Sequence, residues 1–526
     1  MKKCALFVAA ALVLLAVSCS GPFGAVSDDL ALPKEEVYRD PVRAISLTSP
    51  DAYENDDTRT YAKTITTNAA AQEHNFYDDA NDYMKLAAVA GTQYTIETWV
   101  LGYGDTYLYV YDNYTVKASN DDKASGDYGS KIVWTAPSTK TYYIRSYSYG
   151  GRTGSNRGYN ISVTSGGGGG GTITLPQPSK AWTVLVYLDG DNNLSTYATK
   201  DIAEMYGVGS DATNLNIVVL WDNASTTHGY YYIEAGKATL LKDVGEVNMG
   251  ATATANAFID WATANFPAQK FAWIWWNHGG AVDRPVYRGV CWDDTNSGDH
   301  LSEVEQLSIM TYLKGKIGKN VEAVGFDACL MATAEVYYQY RNVANYMAAS
   351  EQTEPGDGWN YAFLSSIKSS PTSTGAYFTQ RIRETYAAWY SSYSDVTFCN
   401  VDITKAAALG TALDAFADAA MASGISGSTF KSLMTSLPSF SGYTKDLYAY
   451  MTNIYNSSSM TSTVKTAAAN VRTAISNMVL GNWTGSTWTG KAYGASITMM
   501  ADTTTYSQLD LCVNTSWDEF CTFAGF

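Results

Sequence analysis

The chain holds four histidines, so the search for a general base is short. His74, His228 and His300 lie in polar segments with no apolar strand ahead of them. His278 differs, because the apolar run Phe271–Trp276 leads straight into Asn277-His278-Gly279-Gly280. In open α/β sheets, ligands and catalytic groups gather at the carboxyl ends of strands. Glycines beside the imidazole leave room for a substrate backbone. Cys329 occupies the equivalent place after a second apolar run, Val321–Phe326, in Asp327-Ala328-Cys329-Leu330-Met331. Taken singly, each has a plain reading: an imidazole satisfied within its turn, and a thiol buried as a small hydrophobe. Together, a thiol and an imidazole at two strand ends, 51 positions apart, are the parts of a Cys–His nucleophilic pair.

Such a pair needs a rigid frame. Trp182–Leu188, Asn216–Trp221, Phe271–Trp276 and Val321–Phe326 are near-continuous apolar runs, as expected for strands buried on both faces of a parallel-type sheet. Helical stretches such as 251–264 and 302–316 alternate with them, and Ser302 with Glu305 forms a capping-box pattern. The fold class predicted is therefore α/β, a three-layer catalytic domain over 180–402. A mostly helical, Ala-, Ser- and Thr-rich region follows over 403–526. Ahead of it, 52–165 reads as an all-β sandwich. Short aromatic and β-branched runs (94–100, 106–111, 131–134, 141–147, 159–163) are separated there by Gly, Asn and Asp clusters. Six consecutive glycines from Gly166 open a flexible linker over 166–179.

Lys2 and Lys3 precede an apolar run from Ala5 to Val17, too short to span a bilayer, so 1–19 reads as an export signal. Its end, Ala16-Val17-Ser18-Cys19, resembles a bacterial lipobox and implies lipidation at Cys19, with ordinary cleavage as the alternative. Residues 20–51 would then be a tether, and the protein an exported lipoprotein of the bacterial cell envelope, held to a membrane by its N-terminal lipid. Net charge is −16 and only 16% of residues are charged, which argues against nucleic acid as a partner. Hydrophobic residues make up 46%, enough for sizeable cores. Beyond the signal remain Cys291, Cys329, Cys399, Cys512 and Cys521, an odd number whose pairing the sequence leaves open.

Four motifs in order are similar to those of the clostripain-like cysteine peptidases, relatives of caspases, gingipains and legumains. They are Trp182–Leu188 running into Asp189-Gly-Asp-Asn-Asn-Leu194, the 277–280 turn, Gly325–Met331, and Ala349-Ser-Glu-Gln352 through Gly356-Asp-Gly-Trp359. The segment 52–165, with Tyr53-Glu-Asn-Asp-Asp57 and Asp79-Ala-Asn-Asp-Tyr83, resembles the bacterial pre-peptidase C-terminal domain. The first resemblance implies a caspase-like fold and a thioester mechanism. Cys329 would be the nucleophile and His278 the proton carrier, with backbone N–H groups of Gly279 and Cys329 forming the oxyanion hole. No further acid is needed to orient His278, and the chemistry requires no cofactor. It also implies protein or peptide substrates carrying Arg or Lys, and self-cleavage between histidine and cysteine. The basic residues of that interval are Arg284, Arg288, Lys314, Lys316 and Lys319. Arg284 precedes a proline, so the lysines are preferred.

A pocket for arginine must offset the lost hydration of a cation, and a carboxylate does so with two parallel hydrogen bonds. Asp327 lies two residues before Cys329 and shares its side of an extended backbone. Asp357 lies in the turn Pro355–Trp359, with Trp359 as an aromatic wall. Both acids match the pocket acids of the resembled family, which predicts cleavage after Arg, with Lys weaker. The acids Asp78, Asp79, Asp82, Asp121 and Asp122 are candidate ligands for a structural Ca2+. The run 189–193 is not an EF-hand, because Leu194 and Lys200 stand where Gly and Glu are required. The rival reading is a surface lipoprotein adhesin, a carbohydrate- or protein-binding module with an inactive peptidase-like domain.

Overall fold

The computed structural model describes residues 49–67, 71–123, 127–166, 173–224, 227–280, 289–442, 444–500 and 506–526. The export signal, Cys19, most of the tether, the linker glycines after Gly166, and Arg284 and Arg288 lie outside the described residues.

The N-terminal region is a sandwich of two sheets. One holds five strands in the order 63–64, 81–88, 140–148, 106–112, 115–120, and the other holds four in the order 72–75, 157–166, 93–102, 131–135. All pairings are antiparallel except 63–64 with 84–85. Period-two alternation sends Met84, Leu86, Leu108, Val110, Tyr142 and Ile144 of one sheet against Tyr94, Ile96, Tyr159, Ile161 and Val163 of the other. His74, read from sequence as a loop residue, belongs to strand 72–75 and is buried between the rings of Tyr53 and Tyr159. Burial pushes its pKa down to about 4, so it stays neutral and Asp56, 3.6 Å away, does not form an ion pair with it at neutral pH.

The catalytic region is built on a nine-stranded sheet. Its strands are β1 (Lys180–Gly190), β2 (Leu215–Asn223), β3 (His228–Glu234), β4 (Lys237–Asp243), β5 (Ala268–Trp276), β6 (Val321–Asp327), β7 (Ala344–Ala349), β8 (Thr397–Asp402) and β9 (Val479–Thr484). The spatial order is β4-β3-β2-β1-β5-β6-β7-β8-β9. The inner strands β2, β1, β5, β6 and β7 run parallel, and antiparallel strands close both edges. The edge strands β3, β4, β8 and β9 carry too much polar sequence to stand out as apolar runs.

Alternation along β1 shows why the sheet is covered on both faces. Trp182, Val184, Val186 and Leu188 face α1 (Ser195–Val208), α5 (Phe363–Ser369) and α6 (Gly375–Trp389). Leu185 and Tyr187 face the opposite core, with α2 (Thr252–Asn265), α3 (Glu303–Ile317) and α4 (Ala334–Tyr340). The predicted capping box is present: Ser302 Oγ accepts the Glu305 N–H, and Glu305 Oε2 accepts the Ser302 N–H at 3.0 Å. The chain beyond 403 is mostly helical and packs on the same core as α4, so the molecule is a caspase-like α/β/α sandwich with a helical extension. That extension also supplies β9, which lies at the sheet edge beside β8. Among the described residues no helix is long and apolar enough to cross a membrane.

Candidate active site

Parallel pairing of β5 with β6 sets the geometry of the site. The register matches Trp276 with Asp327, so both strands end together and their following turns emerge side by side. The Asn277 N–H donates to the Asp327 carbonyl at 3.3 Å, holding the turns in step. Gly279 then packs directly on the turn that carries Cys329. A Cβ there would overlap the Cys329 carbonyl oxygen and approach the Cys329 nitrogen to 2.8 Å, so only glycine fits. His278 and Cys329 are thus brought together by backbone contact.

The imidazole is held by a residue whose role the sequence did not reveal. His278 Nε2 lies 2.6 Å from Asn193 Oδ1, in the turn after β1. An amide oxygen only accepts, so Nε2 carries the proton and the Nδ1 lone pair is the basic one. The turn itself is fixed from beneath, because Asn277 Nδ2 donates to the Asp189 carbonyl at 2.6 Å.

Cys329 is 5% exposed, and its sulfur receives the backbone N–H of Glu354 at 3.2 Å. The N–H favours the thiolate, while the Glu354 carbonyl, 3.8 Å from the same sulfur, accepts from the neutral thiol. Leu330 follows with φ +67°, a left-handed conformation that a branched residue adopts at a cost of about 1–2 kcal/mol. It persists because the Leu330 and Ala332 N–H groups bond to the carbonyls of Gln352 (3.3 Å) and Ser350 (2.9 Å). The motif 349–352 therefore splints the nucleophile turn. Glu351 ties this splint to the C-terminal extension by accepting the Gly494 N–H at 2.8 Å. Phe440 and Trp488, stacked at 4.4 Å, close an apolar cluster around Cys329 and Leu330. The helical extension thus contributes to the site, which its composition gave no sign of.

The five described cysteines are all free and buried. Cys291, Cys399, Cys512 and Cys521 have thiol pKa values raised chiefly by burial. None of the five forms a disulfide, which resolves the pairing left open by the sequence.

The two candidate pocket acids are placed unequally. Asp327 is buried; its Oδ2 accepts the Tyr361 hydroxyl at 2.9 Å and the Trp359 N–H at 3.4 Å. Gly358, at φ +54°, sits against its other oxygen. Burial raises the Asp327 pKa to about 7. Asp201, buried beside it and accepting the Trp276 indole N–H at 2.6 Å, is pushed well up by burial and by Asp327 itself. Asp357 is 28% exposed and pairs with Lys200 of α1 at 3.1 Å. Trp359 departs from the expected aromatic wall. It is 1% exposed, donates from Nε1 to Glu354 Oε2 at 3.1 Å, and packs on Phe398 and Phe363. A ring that large falls into the core beneath the loop, where it supports the turn carrying Asp357.

Three further expectations can be placed on the structure. Lys314 and Lys316 lie in the last turn of α3, bonded to the Asn342 carbonyl and to Asp260, while Lys319 bonds to the Gln269 carbonyl. Peptidases act on extended backbone, so the helical Lys314 and Lys316 are poor self-cleavage points, whereas Lys319 lies beyond the end of α3. Of the candidate calcium acids, Asp79 and Asp82 gather with Glu54, and Asp121 and Asp122 gather with Asp105; Asp78 joins neither group. His228, read as a turn residue, begins β3 and lies against Asp222 and Glu246.

Comparison with known proteins matches this arrangement to one family. The model of the clostripain family of peptidases matches residues 186–520. Clostripain from Hathewaya histolytica is 34% identical over 216 residues, covering 34% of this chain and 40% of that relative. The chain thus spans less than half the length of the curated relative it matches. A secreted C11 cysteine protease from Bacteroides thetaiotaomicron, solved with an irreversible peptide inhibitor, superposes with a TM-score of 0.51 at 19% identity, covering 66% of this chain and 99% of that one. Another structure of a secreted C11 cysteine protease from the same organism, iotapain, gives 0.51 at 16% identity, covering 65% and 100%. With the family model matching well over half its length and the strand-end turns in place, the chain belongs to the clostripain family.

Proposed function

We propose that the protein is an exported cysteine endopeptidase that cleaves after Arg, and more weakly after Lys, using a Cys329–His278 dyad. The observation that carries this reading is the packing of Gly279 on the Cys329 backbone, which sets the imidazole turn against the nucleophile turn. The Cys329 thiolate, favoured by the Glu354 N–H, attacks the scissile carbonyl and forms a thioester. The developing oxyanion is met by the N–H groups of Gly279 and Cys329, two amides that abut at the strand ends. His278, steadied by Asn193 through Nε2, takes the Cys329 thiol proton on Nδ1, delivers that proton to the leaving amine and then takes one from the attacking water.

Specificity is assigned to the acids. Asp357 is accessible and already holds one cation, the Lys200 ammonium, so its surroundings suit a charged side chain. Arg gains two parallel hydrogen bonds where Lys gains one, hence the preference. Asp327 acts from beneath, holding the loop through Tyr361 and Trp359. Peptides differing only in the residue before the scissile bond test this directly. Turnover should fall in the order Arg, Lys, then uncharged residues; preference for Asp or large apolar residues would overturn it.

The N-terminal features belong to the same proposal. Lys2, Lys3 and the apolar run to Val17 support export, and Cys19 is the proposed lipid attachment point to the cell envelope. The sandwich is proposed as a pre-peptidase-like module carrying a structural Ca2+ at Glu54, Asp79 and Asp82. This is supported by the buried Asp82, whose Oδ1 has no hydrogen-bond partner.

A further inference from the structure

We propose that the outer face of the five-stranded sheet in the N-terminal sandwich is a binding platform for an acidic polysaccharide, a glycan whose sugars carry carboxylates. An antiparallel sheet with one buried face alternates apolar residues inward with polar ones outward. The inward half of that pattern holds here, but the outward half is built largely of rings. The registers of strands 81–88, 140–148 and 106–112 set Tyr83 beside Arg145 and Arg145 beside Tyr109, which makes a middle row. On one side of it lie Tyr147 and Tyr107, and on the other Lys85, Tyr143 and Tyr111. All six rings are partly exposed. Tyrosine and arginine gathered on a face turned away from its own core are the residues that recognition surfaces favour.

The face is held ready. Tyr107 and Tyr109 stack at 4.5 Å, and Tyr109 and Tyr111 follow at 5.9 Å, so one strand carries a file of rings. Arg145 is fixed at the centre. Its Nε donates to Asn81 Oδ1 at 2.8 Å, its Nη2 donates to the same oxygen, and the guanidinium lies 4.6 Å from the ring centre of Tyr147. Arg59 extends the face, 3.5 Å from the ring centre of Tyr114 and 6.0 Å from that of Tyr143. Side chains already ordered in this way add little entropy cost on binding.

Charge selects the occupant. The chain carries −16, yet the outward residues of these three strands include Arg145 and Lys85 and no carboxylate, and Arg59 adds a third cation. Asp112, at the end of its strand, is paired with Lys140 and Lys117. A basic patch on an acidic protein suits a polyanion. The rings decide which one. Sugar rings lay their C–H faces on aromatic rings, and a sugar carboxylate meets a guanidinium through two parallel hydrogen bonds. Peptides dock in grooves or on free strand edges, whereas these rings lie on strands with neighbours on both sides. A lipid surface takes inserted Leu, Phe or Trp, and the outward residues of these strands include none. Rows two residues apart along a strand are about 7 Å from one another, so three rows hold a short run of sugars. The platform gives the chain an attachment function that does not depend on the peptidase chemistry.

The test is calorimetric titration of the full chain with oligomers of polygalacturonate and of hyaluronan. At least one should bind, and added salt should weaken binding without abolishing it, because the rings contribute apart from charge. Neutral cello-oligosaccharides should bind about tenfold or more weakly. Lys85→Glu, at an exposed position where folding is not at risk, should weaken binding of the acidic oligomer about tenfold or more, and Tyr107→Ala about threefold or more. No peptide turnover enters the readout, so failure here is distinct from failure of the peptidase assignment. Binding of neither acidic oligomer, or binding unchanged in Lys85→Glu and Tyr107→Ala, would overturn the proposal. So would equal affinity for poly-L-glutamate or for phosphatidylglycerol vesicles, since the face would then read charge alone.

Discussion

Two turns meet at the site, and they are built on opposite principles. The Cys329 turn, 327–332, which carries the proposed nucleophile, is buried, has a strained residue at Leu330, and has its polar groups taken up by the 350–354 segment. The acid loop, 353–361, has a buried half at Trp359 and Tyr361 and an open half at Asp357, where the partner is a lysine on the surface. The first turn is arranged to hold one geometry; the second, on the proposed specificity, exchanges one cation for another. Asp327 and Asp357, equivalent candidates in the sequence, fall on different sides of that division.

The largest effect should come from the fixed turn. Cys329→Ala should lower turnover about 1000-fold or more, because the nucleophile has no substitute. Its thermal transition should stay close to that of the parent, since alanine fits a small buried site. A residual rate within tenfold of wild type would show that the turn is not where the chemistry occurs.

Next is the open half of the loop. Asp357→Ala should cut kcat/KM for Arg substrates about tenfold or more, since losing a charged partner costs roughly 1.5–3 kcal/mol. Alkylation of Cys329 by iodoacetamide should proceed at the wild-type rate. If alkylation slows as much as turnover, Asp357 shapes the nucleophile turn and the division between the two turns fails.

Asp327→Asn should affect turnover less than Asp357→Ala but should alter the pH dependence of stability. With its pKa raised to about 7, Asp327 binds a proton more tightly folded than unfolded. Its contribution is therefore fully present below the unfolded value of about 4 and is lost as pH rises towards 7. Denaturant unfolding at pH 5, 6, 7 and 8 should show a shallower decline in the variant than in the parent. Parallel curves would mean that the carboxyl titrates alike in both states. The smallest effect belongs to Lys200. Lys200→Met frees Asp357 from a half-exposed ion pair worth about 0–1 kcal/mol, so Arg turnover should rise by about fivefold at most. A fall would mean that Lys200 positions the acid rather than competing for it.

Much of this was legible in the sequence because apolar runs report strands buried on both faces. Trp182–Leu188, Phe271–Trp276 and Val321–Phe326 lie within β1, β5 and β6, and the residues just beyond them are where the turns abut. The outer strands were not legible, since β3, β4 and β9 are short, interrupt their apolar residues with polar ones or glycine, and are not buried along their whole length. Trp359 misled because a ring beside a glycine turn reads as a surface feature, whereas its volume is accommodated only in the core. Asn193 stands inside the 189–194 motif, but its contact with His278 was not legible, and the Glu354 amide and Phe440 with Trp488 gave no signal of a role: each acts through a contact between distant segments, and one of them is a backbone group. Their partners become visible only when the sheet order is known.

The central claim is that Cys329 alone among the thiols is activated, and that His278 and a cationic side chain direct its reaction. It is tested most directly by treating the folded full chain with an irreversible peptide inhibitor bearing arginine, then mapping the adduct by mass spectrometry. The account predicts one adduct, on Cys329, absent in His278→Ala, and slowed in Asp357→Ala. Cys291, Cys399, Cys512 and Cys521 should remain unlabelled, as buried thiols held in the protonated form. An adduct on another cysteine, or labelling of Cys329 that is indifferent to His278, would contradict it.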